Sequence, residues 1–182
     1  MRPFVRYRVV RGVVTAVVLV TAAATGSVAV ADDERSSVIQ VPLTGYQEDP
    51  LALSTTGAGD VSIRIDDGAQ TITYRLEYDG LEGNVLQSHI HLGGRAQSGG
   101  VSVFLCSNLG NGPAGTPACP AQPGVVEGTL HPADVIGPAG QGIAAGEFNE
   151  LVAAIRSGTA YANVHSSKYP GGEIRGQLDH EH

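Results

Sequence analysis

Apolar and polar residues alternate along most of this chain, which is the period expected of β-strands with one buried face. Residues 59–65 show the alternation clearly, and the turn-forming Asp66-Asp67-Gly68 separates them from a run rich in Thr, Tyr and Ile at residues 70–78. These two runs predict a β-hairpin. Further strand-like runs occupy residues 37–43, 85–92, 101–105, 125–130, 159–165 and 172–178. Short runs separated by turns predict an all-β fold, either a sandwich or a barrel.

One segment departs from this alternation. Between Gly146 and Ser157 the apolar residues recur at the spacing of three and four that is typical of a helix with one buried face, namely at Phe148, Leu151, Val152 and Ile155. Gly158 follows and favours the end of a helix. The sequence therefore predicts one short amphipathic helix in an otherwise β-rich fold.

Two histidines are separated by a single residue in the run at residues 85–92. Alternation along a strand places His89 and His91 on one face, about 6.7 Å apart along the chain. A third histidine, His165, belongs to another strand-like run. Imidazole is a ligand suited to copper and zinc, and a His-x-His pair with a distant third histidine resembles the copper ligands of copper/zinc superoxide dismutases. The dismutase-type zinc loop is absent, so the pattern predicts a single-ion site, with copper first and zinc second.

The metal site depends on the third histidine folding next to the first two. If it does not, the alternative is that the histidines form hydrogen bonds within a polar seam of the sheet. Asn163 lies on the same predicted face as His165 and is expected either to orient that ring or to have a structural role alone, such as capping a neighbouring backbone group. Glu173 and Arg175 share one face of the last run, where Arg175 either forms a salt bridge with Glu48 or Glu173 or guides an anion to the histidines.

The first 31 residues have the pattern of an export signal. Four arginines precede an uncharged stretch, and Ala29-Val30-Ala31 fits a cleavage site of the small-x-small type. Cleavage after Ala31 predicts a secreted, extracytoplasmic protein with no stable membrane insertion; the alternative is an uncleaved anchor. The rest of the chain is then expected to divide into a flexible terminus at residues 32–37, one domain at 38–178 and a polar tail at 179–182.

Removing this leader makes the chain more acidic. It contains four of the 11 Lys and Arg residues and none of the 18 Asp and Glu residues, so seven basic residues remain against 18 acidic ones, a formal charge of −11. Such a domain is a poor candidate for binding nucleic acid or anionic membranes. The expected partner is therefore a metal ion or an extracellular protein.

Cys106 and Cys119 are the two cysteines of the chain. In an oxidising compartment they predict one disulfide, which would close a loop rich in Gly, Pro and Asn. A thiolate metal site would require a closer cysteine or histidine spacing than this pair has.

Three stretches share their residues with one known family: Leu43–Pro50, the Ser-His-Ile-His-Leu-Gly of residues 88–93, and above all Tyr-x-Asn-Val-His…Tyr-Pro-Gly-Gly-Glu-Ile-Arg-Gly-Gln-Leu at residues 161–178. They resemble the CHRD domain, which is named for its occurrence in chordin and is common in bacterial secreted proteins. Ser166 and Asp49 depart from the family's usual Thr and Val. The resemblance covers about residues 38–178, and it implies an immunoglobulin-like, Greek-key antiparallel β-sandwich in an extracellular setting.

Residues and resemblance together predict a non-catalytic extracytoplasmic module, for binding or for structure, that holds copper or zinc through histidines. The alternative is a copper-dependent redox enzyme with superoxide-dismutase-like character.

Overall fold

Eight antiparallel strands and one helix form the part of the chain that the structure describes. The structure is a computed structural model, and it describes residues 38–179. The predicted export signal, the predicted flexible terminus and residues 180–182 of the predicted tail lie outside the described residues. Within 38–179, no helix has the length and apolar character needed to cross a membrane.

The strands and the helix lie where the alternation of the sequence predicts them. The helix α1 is Phe148–Arg156, and it packs against the sheet through its buried apolar residues. The strands are β1 (Val38–Thr44), β2 (Ala58–Asp66), β3 (Thr71–Asp79), β4 (Val85–Leu92), β5 (Val101–Ser107), β6 (Gly124–Leu130), β7 (Ala160–Ser166) and β8 (Ile174–Gln177). The all-β prediction with one short helix is therefore confirmed.

The hairpin of β2 and β3 illustrates how the pattern produces the fold. Ile63 pairs with Tyr74 and Val61 pairs with Leu76, so the apolar residues of both strands share one face. That face is buried in the core, where Val61 and Leu76 are fully enclosed. The intervening polar residues remain at least partly exposed. Burial of one face thus sets the register of the hairpin.

All eight strands belong to one sheet, with the order β5-β4-β7-β8-β1-β2-β3-β6. The predicted sandwich of two separate sheets is therefore corrected to a single, nearly barrel-shaped sheet. Thr44 and Arg175 form the one residue pair that joins β1 to β8. At the other side β5 and β6 approach each other, and the Tyr74 hydroxyl of β3 donates to the Leu105 carbonyl of β5 across 2.6 Å. Alternation identifies buried faces, but it does not tell whether strands belong to one sheet or to two.

The two faces of the sheet bury different kinds of residue. The inner face and α1 form the apolar core, which includes Ile90 of β4 and Val164 of β7. The outer face of β5, β4, β7 and β8 carries a second buried layer of polar and aromatic residues. Every residue of β7 is buried, so that strand is covered on both sides. All the candidate metal ligands lie in this outer layer.

The predicted disulfide between Cys106 and Cys119 is confirmed. It connects the end of β5 to the loop that leads to β6, with Cα atoms 5.0 Å apart and a separation of 13 residues in sequence. Asn108 fastens the same loop, because its amide donates to the carbonyls of Val85 and Cys119 and its oxygen accepts from the Cys119 amide.

Replacing both cysteines with alanine is expected to lower the free energy of unfolding by about 2–3 kcal/mol, because the open loop gains conformational entropy in the unfolded chain. Urea unfolding of the parent and of the C106A/C119A variant measures the difference. The parent in the presence of a reductant is the control, and it should unfold at the same urea concentration as the variant. Equal stability of the oxidised parent and the variant would contradict the prediction.

Candidate metal centre

The pairing of β4 with β7 brings the three histidines together. Gln87 lies opposite His165 and His89 lies opposite Asn163, so the imidazoles of both strands point to the outer face. One ring nitrogen from each of His89, His91 and His165 lies within 4.8 Å of the other two. The three residues are 2%, 7% and 6% exposed. The predicted trio is thus a buried cluster of nitrogen donors that could hold a metal ion.

Two backbone carbonyls orient the rings of this histidine cluster. His91 donates its Nδ1 hydrogen to the Gly99 carbonyl, and His165 donates its Nδ1 hydrogen to the Pro170 carbonyl, both across 2.9 Å. With the proton held on Nδ1, Nε2 carries the lone pair with which an imidazole can bind a metal ion. The carbonyls therefore select the tautomer that a ligand requires.

The spacing of the donors suits one small ion. Nε2 of His165 lies 3.1 Å from Nδ1 of His89, which donates to it; in the other neutral tautomer, with its proton on Nε2, the His89 ring presents a lone pair at Nδ1. Two nitrogens bound at about 2.0 Å to a tetrahedral ion lie roughly 3.3 Å apart. Nε2 of His89 is buried and has no hydrogen-bond partner among residues 38–179. The perpendicular ring of Phe104 packs beside His89, with 4.3 Å between centroids.

All three rings are neutral at neutral pH. Burial lowers the pKa of His89 to about 3 and that of His91 to about 4, with electrostatic repulsion from the neighbouring histidines as a further cause. Burial also lowers the pKa of His165, against the opposing effect of its bond to Pro170. A neutral imidazole is the form that binds metal, so the cluster needs no proton release near pH 7 before it takes up an ion.

The side chain of Asn163 contacts His91 and not His165, the partner that the sequence pattern suggests. The prediction paired it with His165, whereas its side-chain oxygen is placed 3.1 Å from Nε2 of His91. The proton of His91 is on Nδ1, so its Nε2 can only accept a hydrogen bond. The Asn163 side chain therefore directs its NH₂ group, rather than its oxygen, towards that nitrogen. The Ser88 hydroxyl holds the Asn163 backbone by donating to its carbonyl.

Arg175, Tyr161 and His91 form a stack beside the cluster. The Arg175 guanidinium lies 3.5 Å from the centre of the Tyr161 ring, and that ring is parallel to His91 with 4.8 Å between centroids. Arg175 is 2% exposed and donates to the carbonyls of Gly94 and Gln97. These carbonyls belong to loop 93–99, which also provides the Gly99 carbonyl for His91.

The two glutamates expected near the histidines lie at different places. Glu48 faces Arg175, and its pKa is raised to about 7 because the cost of burial exceeds the attraction to Arg175. No ion pair joins the two within the described part of the chain. Glu173 is fully buried, and its Oε1 accepts from the Thr55 hydroxyl at 2.6 Å and from the Glu82 amide at 2.7 Å. It fastens two loops to the start of β8.

The structure adds four participants that were not predicted as site residues: the side chains of Tyr161 and Phe104 and the carbonyls of Gly99 and Pro170. Strand periodicity could have identified Tyr161, which lies on the same face of β7 as Asn163. The carbonyls leave no trace in the sequence, because any residue of a covering loop can provide one.

Comparison with known proteins identifies one family. The family model for the CHRD domain matches residues 39–178, which is well over half of the chain and nearly all of the described part. No curated protein and no solved structure shows significant similarity to the chain.

The metal-free protein is expected to lose stability as the pH falls from 7 to 5. The unfolded histidines take up protons near pH 6.5, whereas the buried rings do not, so the free energy of unfolding falls by up to about 1.4 kcal/mol per pH unit for each ring. Glu48 opposes this trend, since its raised pKa means that the folded carboxyl binds its proton first. Chemical denaturation in the presence of a chelator measures the free energy of unfolding at each pH. The destabilising effect of three histidines should exceed the stabilising effect of one glutamate, so the net change is a loss of stability.

The double variant H89Q/H91Q removes two titrating rings and should flatten this pH dependence. The variant H131Q is the matched control, because His131 is exposed and lies outside the cluster. A parent protein whose stability stays constant or rises between pH 7 and pH 5 would refute the assignment of buried, neutral rings.

Proposed function

This chain belongs to the CHRD domain family, and from that premise we propose that it is a non-catalytic extracytoplasmic module that holds one copper or zinc ion. The ligands are His89, His91 and His165. The observation that carries the proposal is the cluster of three buried imidazoles, two of which have their tautomer set by backbone carbonyls.

The choice of copper or zinc follows from the donor set. Three neutral nitrogens suit these borderline ions, whereas calcium and magnesium require oxygen ligands. The cluster contains neither carboxylate nor thiolate among the described residues. Burial of the rings and their fixed orientation reduce the entropy that binding would otherwise cost.

The non-catalytic part of the proposal rests on Arg175. A guanidinium that attracts superoxide or another small anion must be open to solvent, but this one is buried and donates to two loop carbonyls. The acidic balance of the chain, with a formal charge of −7, also repels anions at a distance. Both observations favour a binding module over a redox enzyme.

The extracytoplasmic location is supported by two independent features. The disulfide between Cys106 and Cys119 would persist in an oxidising compartment, and cytosolic proteins rarely keep such bonds. The leader at residues 1–31 has the pattern of an export signal, with a cleavage site after Ala31.

Metal titration of the exported protein tests the proposal. The full chain is expressed with its leader, the product is purified without an affinity tag, and its N-terminus is read by mass spectrometry. After chelation it should bind one copper or zinc ion per chain. The H89A/H91A variant should bind at least about a hundredfold more weakly, because it loses two of three ligands.

The H131A variant is the control for nonspecific binding to histidine and should keep the affinity of the parent. Absence of a stoichiometric ion, or undiminished binding by folded H89A/H91A, would refute the metal site. Rapid superoxide turnover by the copper-loaded protein would overturn the non-catalytic role instead.

A further inference from the structure

The histidine cluster has no negative charge of its own. All three potential ligands are neutral imidazoles, so a bound ion would keep its whole charge inside a buried layer. The free-energy cost of burying an ion rises with the square of its charge, so a divalent ion meets roughly four times the desolvation penalty of a monovalent one.

A fixed positive charge lies on the same side of the sheet. The Arg175 guanidinium stacks on Tyr161, which in turn stacks on His91, so the cation is two ring contacts from a metal ligand. Electrostatic repulsion from this guanidinium acts on any metal ion that His91 binds, and it is twice as strong for a divalent ion.

The surroundings neutralise this charge only in part. Arg175 donates to the neutral carbonyls of Gly94 and Gln97 and has no ion pair within residues 38–179. Glu48 is the acidic side chain that faces it, and with a pKa of about 7 its carboxyl is partly protonated at neutral pH. Asp49, the next acidic residue, is partly exposed and accepts from the Ser98 hydroxyl.

We propose that the stack of Arg175, Tyr161 and His91 makes the cluster selective for monovalent copper over divalent copper and zinc. Three imidazoles complete the coordination of Cu(I), whereas Zn(II) and Cu(II) need at least a fourth ligand, which would have to enter a nearly closed site. This inference rests on the proposed function, since it requires that the three histidines bind a metal ion.

The expected size of the effect follows from the geometry. The guanidinium lies 3.5 Å from the centre of the Tyr161 ring, and that centre lies 4.8 Å from the centre of the His91 ring, so the charge is at most about 8 Å from the His91 ring. At about 8 Å and an effective dielectric constant of about 20, one unit of charge on the ion changes its affinity by roughly thirtyfold. The stack should therefore shift the ratio of Cu(I) to Cu(II) affinity, and of Cu(I) to Zn(II) affinity, by about this factor.

Competition titrations of the exported full-chain product test the selectivity. Cu(I) is measured without oxygen against a Cu(I) chelator, and Cu(II) and Zn(II) are measured against chelators of known affinity. The parent should bind Cu(I) most tightly. The R175M variant, which keeps an apolar side chain against Tyr161 but removes the charge, should lose about thirtyfold of the Cu(I) preference and show a lower copper reduction potential.

Two further variants separate charge from structure. R175K keeps the positive charge and should restore most of the preference. R64M removes an exposed positive charge from β2, outside the layer that holds the histidines, so its ratio should remain close to that of the parent. Circular dichroism and melting curves identify any variant that does not fold. The ratio of Cu(I) affinity to Cu(II) or Zn(II) affinity in the parent tests the selectivity even if a variant fails to fold.

The outcomes distinguish the two proposals. Binding of Zn(II) or Cu(II) by the parent as tightly as Cu(I) overturns the selectivity and leaves the metal site intact. An unchanged ratio in folded R175M overturns the role of the stack. Absence of binding for all three ions overturns both the inference and the proposed function.

Discussion

The register between β4 and β7 is the constraint on which the rest of this structure depends. Pairing of Gln87 with His165 and of His89 with Asn163 directs three imidazoles to the outer face, while Ile90 and Val164 remain in the core. A shift by one residue would exchange the two faces, placing the histidines in the apolar core and the apolar residues outside. Core burial therefore sets the geometry of the site, although no histidine belongs to the core.

The outer layer is stable because loops satisfy most of its polar groups. Loop 93–99 provides four carbonyls: those of Gly94 and Gln97 accept from Arg175, that of Gly99 accepts from His91, and that of Gly93 accepts from the buried Gln177. Gly99 has to be glycine for this loop to lie so close, since a Cβ atom there would be 1.6 Å from the Leu92 carbonyl oxygen. One exception belongs to the histidine cluster: Nε2 of His89 is buried and has no hydrogen-bond partner among residues 38–179.

Arg175 connects the fold to the proposed chemistry. Its backbone pairs with Thr44 and joins the two halves of the strand order, while its side chain holds loop 93–99 and stacks on Tyr161. One residue thus links the two halves of the sheet, holds the loop that contacts His91 and brings a positive charge near the histidines. The partners of the Arg175 side chain are two backbone carbonyls and an aromatic ring. The surrounding fold therefore determines which groups lie close enough to be affected by its charge.

The sequence by itself determined the strands, the helix, the disulfide, the family and the shared face of His89 and His91, because each of these follows from local periodicity or from a short motif. Only the tertiary structure decided that the strands form a single curved sheet, that His165 joins the pair, and that Asn163 contacts His91. His89 and His165 are 76 residues apart, and their contact depends on which strands become neighbours and in what register. Strand order and register depend on the apolar area that the whole core buries and on the loops that cover the sheet. No local sequence pattern encodes either of these.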